Sequence, residues 1–205
     1  MDYKEYLIFP TPVLKFKFDR EFNDNELEFF KKTKKDCYRN HGNDTSKNSF
    51  ILNDVSMKDI KEFAEKALQI YLKEVISPNN IDDIKLAITQ SWLNFTKPTE
   101  FHHNHYHPNS IVSGVFYINA DKNIDEIMFI KNENIVFELE SKNLNDFNTK
   151  EVVFKVGKYE LILFPSNTYH TVPPVKGNET RISLAFNSFF KGKIGSVKGL
   201  TYLEL

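Results

Sequence analysis

From residue 85 to residue 190 the chain is written as short runs of β-branched and aromatic residues broken by turn residues. The runs fall near 85–96, 101–107, 111–119, 126–131, 134–140, 151–156, 159–164 and 181–190. Between them stand Lys97-Pro98, Asp121-Lys122-Asn123, Asn132-Glu133, the stretch 141–150 and Gly157-Lys158. No helical period intervenes, so the strands must bury their apolar faces on one another, as a sandwich or barrel. A count of about eight suits a double-stranded β-helix, or jelly roll. The expected fold is mainly β, with N-terminal helices flanking that core.

The front of the chain has a different pattern. Pro10 and Pro12 exclude a helix over 6–18, and Val13 to Phe18 alternates as a strand does. Residues 24–38 read as a helix capped by Asn23 or Asp24, with Leu27, Phe30, Lys34 and Cys37 near one face. Residues 39–50 are polar and turn-rich and read as a surface loop. Residues 56–76 give the clearest helix: Ser56 and Asp59 resemble a capping box, and a stripe from Ile60 through Ala64, Ala67, Leu68 and Tyr71 marks a packing face. The expected organisation is a single domain over 1–205. Residues 1–84 supply a strand and two helices, 85–190 the β-helix core, and 191–205 a tail able to pair with an edge strand.

Composition narrows the partners. A net charge of −1 offers no clear nucleic-acid surface. One cysteine, Cys37, allows no internal disulfide and fits a reducing compartment. No stretch approaches a membrane span, and the first residues carry no signal pattern. The expectation is a cytoplasmic protein. Only Arg20, Arg39 and Arg181 are arginine, so each of the three invites a question about its role.

Four of the six histidines lie in 102–107. His103, His105 and His107 sit at spacing two, which on a strand places them on one face, able to converge on a metal ion. Pro108 biases His107 towards extended backbone. Taken alone, such a run serves equally well as a solvated surface. Further on, Leu161 to Phe164 forms an apolar strand, His170 follows a turn, and Arg181 and Ser183 share a face among apolar neighbours. An arginine there needs an anionic partner if buried. It can take a carboxylate through two parallel hydrogen bonds, and an internal Asp or Glu is the plainer candidate. Trp92 and Asn94 share a face of the preceding strand and are candidates to line a pocket, with core packing the plainer role for Trp92.

In order, the chain carries His105-Tyr106-His107-Pro108, Ser113-Gly114-Val115-Phe116-Tyr117, Phe164-Pro165-Ser166, His170-Thr171-Val172-Pro173, and Arg181-Ile182-Ser183 with Phe186-Asn187. This ordered set resembles the Fe(II)/2-oxoglutarate-dependent oxygenases. More narrowly, it looks like a phage and bacterial branch related to the prolyl hydroxylases, as does the opening Ile8 to Val13. The resemblance implies Fe(II) held by His105, His107 and His170. It implies 2-oxoglutarate bound at its distal carboxylate by Arg181, with Ser183 and Tyr117 assisting, and His103 near the pocket. Fe(II), 2-oxoglutarate as co-substrate and O2 would be the cofactors. The implied reaction hydroxylates a protein, peptide or small molecule and releases succinate and CO2, in the cytoplasm of a bacterium or an infected host cell.

One departure stands out. The usual site has two histidines and one carboxylate. Here His107 occupies the carboxylate position, leaving the metal site one unit more positive. His103 with His105 is an alternative pair, and Glu100 or Asp121 an alternative carboxylate ligand. A competing reading keeps the jelly roll but makes it a non-catalytic, cupin-like metal or ligand-binding module, for which Arg181 and Ser183 would be unnecessary.

Overall fold

The computed structural model describes residues 1–132 and 139–205. The named elements run β1 (Leu14–Lys17), α1 (Asp24–Lys34), β2 (Cys37–Arg39), β3 (Asp44–Ser46), α2 (Lys58–Tyr71), β4 (Ile84–Thr96), β5 (His102–His105), β6 (Val112–Asn119), β7 (Glu126–Ile130), β8 (Glu151–Lys155), β9 (Glu160–Pro165), β10 (Tyr169–Val172), β11 (Arg181–Ile194) and β12 (Leu203–Glu204). They form two antiparallel sheets. The larger is ordered β1-β9-β6-β11-β4-β3-β2, with β12 paired to the far end of β11, and the smaller is β5-β10-β7-β8. This is the expected double-stranded β-helix, mainly β with two flanking α-helices.

Alternation along the strands decides what each face meets. Leu93 and Phe95 of β4, Phe116 and Ile118 of β6, Leu161 and Leu163 of β9, and Leu184 and Phe186 of β11 share one core with α2. The helix contributes Ile60, Ala64, Ala67, Leu68 and Tyr71, all buried. Burying each large side chain contributes roughly 1.5–3 kcal/mol. The neighbours of these strand residues point the other way. Tyr117, Ile162 and Phe164 join Ile127 and Phe129 in a second core. The same parity turns Trp92, Asn94, Arg181, Ser183 and Ala185 away from α2 and towards a common cavity. Gly114 lies on the α2 side opposite Phe186, and a Cβ there would run into the Phe186 ring. The close approach of the two strands requires glycine.

The helix ends differ partly from expectation. Asn23 caps α1 in a full capping box with Glu26, whose carboxylate also takes both terminal nitrogens of Arg20. At α2 no capping box forms on Ser56. Instead Asp54 accepts from the Ser56 N–H and opens a 3-10 turn over Val55–Met57. Cys37 belongs to β2 rather than to α1.

Residues 39–50 are the main correction. They are not simply a surface loop: β2 and β3 form a hairpin, and β3 extends the larger sheet beside β4. Gly42, at φ +100°, allows the turn. Asn43, Thr45 and Ser46 are buried although polar; the sheet satisfies Thr45 and Ser46, whereas Asn43 uses its amide nitrogen and leaves Oδ1 without a partner. Thr45 Oγ1 donates to Asn94 Oδ1 at 3.0 Å, and Ser46 Oγ accepts from the Leu93 N–H at 3.0 Å. The run 101–107 is a strand only over His102–His105, the last core strand continues to Ile194, and His170, after its turn, lies on a further short strand, β10. The strand expected at 134–140 falls largely outside the described residues. Among the described residues no helix is long and apolar enough to cross a membrane.

Candidate metal centre

β10 lies between β5 and β7, with His170 directly opposite His105. His107 follows β5 by two residues. The ring centroids are 4.3 Å apart for His105–His170, 5.0 Å for His105–His107 and 5.1 Å for His107–His170. One ring nitrogen from each lies within 4.8 Å of the others, close enough to share an ion.

The tautomers are set by the backbone. His105 Nδ1 lies 2.7 Å from the His103 carbonyl, and His170 Nδ1 lies 3.0 Å from the Thr168 carbonyl. A carbonyl only accepts, so each Nδ1 carries the proton and each Nε2 keeps its lone pair. Metal-binding histidines are oriented in this way. Burial pushes all three imidazoles down: His105 falls below its ordinary value, His107 goes to about 4 and His170 to about 3. They are therefore neutral at physiological pH, as ligation requires.

The backbone of His107 is held by Ser166, whose hydroxyl sits in a network behind it. Its N–H donates to the Ser166 carbonyl at 2.9 Å, and the Ser166 N–H donates to the Ile111 carbonyl at 3.1 Å. The Ser166 hydroxyl is 2.7 Å from that of Ser110 and 2.8 Å from that of Ser113, which reaches Asn187 Oδ1 at 3.0 Å. The Ser-Gly, Phe-Pro-Ser and Phe-Asn motifs of the sequence thus meet in one network. Trp92 packs on the other side of the His107 ring, 5.8 Å away between centroids.

The trio opens onto a cavity also lined by Trp92, Asn94, His102, Tyr117, Arg181 and Ser183. Asn94, Ser183 and Tyr117 are paired in register across β4, β11 and β6, so they form one row. Arg181 is 3% exposed. Its Nη1 donates to the Glu126 carbonyl at 2.9 Å, and its guanidinium lies 5.7 Å from the Tyr117 ring centre. The Nε of Arg181 and the hydroxyl of Tyr117 are buried without a partner. Burial pushes the arginine down and the tyrosine up. No carboxylate forms an ion pair with Arg181 among the described residues, so the internal salt bridge does not form.

The alternative ligands fall away from the trio. Glu100 is taken by Arg39 and by the Lys97 N–H, and Asp121 caps its own turn through Asn123. Both metal-competent groups among the described residues consist of histidine alone. His103 does not line the cavity; it packs instead against His41 and His102. The cause is a slip in register: Val172 pairs with His102, so β5 carries one residue more than β10 between the paired positions. Sequence reasoning missed His102, which lines the cavity, and Asn43, whose amide nitrogen is 3.3 Å from His102 Nδ1. The signal was faint: Asn43 and Thr45 sit at strand spacing just after Gly42.

No curated protein matches the chain. Solved structures that share its fold include the following three. The Pseudomonas putida prolyl-4-hydroxylase aligns at TM-score 0.52 and 14% identity, over 85% of this chain and 91% of that one. A prolyl hydroxylase from Trichoplax adhaerens, in complex with a hypoxia-inducible-factor oxygen degradation domain peptide fragment, gives 0.53 and 12%, over 86% and 83%. HygX from Streptomyces hygroscopicus, with nickel, 2-oxoglutarate and hygromycin B bound, gives 0.53 and 11%, over 87% and 82%.

A jelly roll whose interior brings neutral imidazoles to face a half-satisfied arginine is suited to hold one metal ion beside an anionic ligand. The model of the family described as putative 2OG-Fe(II) oxygenase matches residues 90–187, a span that takes in the trio and Arg181. Over that span the chain is similar to the 2OG-Fe(II) oxygenases, a family whose cofactors are Fe(II), 2-oxoglutarate and O2. The residues fit these groups. The Nε2 lone pairs of His105 and His170 with one ring nitrogen of His107 suit iron, and an unpartnered arginine nitrogen beside an unpartnered phenol suits a carboxylate.

Proposed function

We propose that the protein is a dioxygenase that hydroxylates a protein, peptide or small-molecule substrate and releases succinate and CO2. The observation that carries this reading is Arg181, a buried cation with a free Nε in the same cavity as the trio. A metal-binding module without a dicarboxylate ligand has no use for it.

His105, His107 and His170 would hold the metal through Nε2. Arg181 would take the distal carboxylate of 2-oxoglutarate, with Tyr117 and Ser183 donating hydroxyl hydrogen bonds. The apolar walls Val115, Ile127, Val172 and Ala185 exclude water, which strengthens each of these contacts. Trp92 and Asn94 would border the substrate. Iron, once bound with 2-oxoglutarate and O2, supplies the oxidising power, and the chain needs no general base of its own. A site of three neutral imidazoles is more positive than one with a carboxylate, which favours a dianionic co-substrate. Peptide and small-molecule ligands both occur on this fold, in the Trichoplax enzyme and in HygX. The lone Cys37 supports action in the cytoplasm.

An anaerobic titration tests the reading. Fe(II) and then 2-oxoglutarate are added to the metal-free protein while the visible spectrum is followed. A charge-transfer band that needs both, and that disappears in His170→Ala, is the expected result. Iron binding without a band would favour the non-catalytic module.

A further inference from the structure

We propose that His102, His103 and His105 form a second metal site, an alternative to the first, that takes a divalent ion with a preference for imidazole such as Zn(II), Ni(II) or Co(II). One ring nitrogen from each of the three lies within 4.8 Å of the others. The rings of His102 and His105 are stacked at 4.6 Å and 16°, and that of His103 lies 5.1 Å and 4.9 Å from them. This convergence is not what a regular strand gives, since consecutive side chains point to opposite faces. The extra residue of β5 breaks the alternation and brings the adjacent His102 and His103 together.

The surroundings suit ligation. His103 Nδ1 is 3.4 Å from the His41 carbonyl, which favours the proton there and leaves Nε2 for an ion. At His102, Nδ1 faces the amide of Asn43, a fully buried residue whose Oδ1 has no partner. A half-turn of that amide lets Oδ1 accept from His102 Nδ1–H and leaves the His102 Nε2 lone pair free. His41, beside His103, is exposed, so the outer trio is the one nearer to solvent.

The two trios share His105, and a neutral imidazole with one protonated nitrogen has one lone pair to give. Occupation is therefore exclusive. An ion in the outer site withdraws His105 from His107 and His170. Zinc or nickel there would keep iron out without touching Arg181. This inference needs only the histidines and stands whether or not the protein proves to be an oxygenase.

Cobalt(II) provides the test, through equilibrium dialysis and the absorption of the bound ion. The double variant His107→Ala/His170→Ala keeps the outer trio and dismantles the inner one. It should bind one Co(II), and adding His103→Ala should weaken that binding about tenfold or more. A double variant that binds no Co(II) overturns the proposal, as does a triple variant that binds as tightly as the double. Anomalous scattering from Co(II)-soaked crystals of the unaltered chain guards against misfolded variants. Density of partial, complementary occupancy is expected at both positions in the unaltered chain, and at the inner one alone in His103→Ala. Density at the inner position alone in the unaltered chain refutes the second site.

Discussion

Arg181 is held in the ligand-free protein by one carbonyl and one aromatic face, with Nε unpaired. A buried cation with so few partners opposes folding. Arg181→Met should therefore leave the melting temperature of the ligand-free protein unchanged or raise it. The same change should weaken 2-oxoglutarate binding about 100-fold, the scale of losing one partner of a buried charge pair. Thermal melts and calorimetric titration check both halves, and a melting point lowered by several degrees would mean that the arginine is already satisfied. Ser166 acts on the ligand set from behind. Ser166→Ala should lower stability by about 1–3 kcal/mol, because its hydroxyl partners are buried. It should also loosen Fe(II) binding about tenfold, since the Ser166 carbonyl that accepts from the His107 N–H stays but loses the hydroxyl anchors that position it. Unchanged iron affinity in a variant that still folds would show that the network braces the fold and not the ligand.

Among the elements, legibility followed polarity. The strands that alternate apolar residues, such as β6 and β11, could be read directly, and so could the α2 stripe. The β2–β3 hairpin could not, because its buried side chains are Asn43, Thr45 and Ser46, which look solvent-facing until the sheet supplies their partners. His105, His107, His170 and Arg181 were legible through motif order and meet in one cavity. His102 was not, because its place depends on a register slip that no spacing announces. Asn43 depended in turn on the hairpin. Gly114 marks the opposite case, a motif glycine whose reason is steric. Gly114→Ala should destabilise the protein by about 1–3 kcal/mol or more, as Phe186 has no room to retreat. Urea unfolding measures this, and a change near zero would mean that β6 and β11 can separate freely.

At the scale of the whole molecule, the buried histidines make stability depend on pH. In the unfolded chain His170 titrates near 6.5, whereas burial keeps it neutral in the folded protein down to about 3. Above pH 6.5 neither state binds the proton, and this group has no effect. Below it the unfolded state binds the proton and the folded state does not, so stability falls as pH falls, by up to about 1.4 kcal/mol per pH unit for this residue. The metal-free protein should melt progressively lower from pH 7 to pH 5, and His170→Ala should flatten that slope. An equal slope in the variant would remove His170 from the account.

The two halves of the site belong to sheets of unequal cohesion. Arg181 and Ser183 begin a fourteen-residue strand with β4 along one side and β6 along much of the other. His105 closes a four-residue strand at the edge of the smaller sheet. Amides on long, flanked strands exchange with solvent only in large-scale openings, whereas those on short edge strands exchange in local ones. The ligand-free protein should thus keep its carboxylate anchor steady while its metal-binding edge opens and closes many times, and a bound ion would hold the faster half to the pace of the slower.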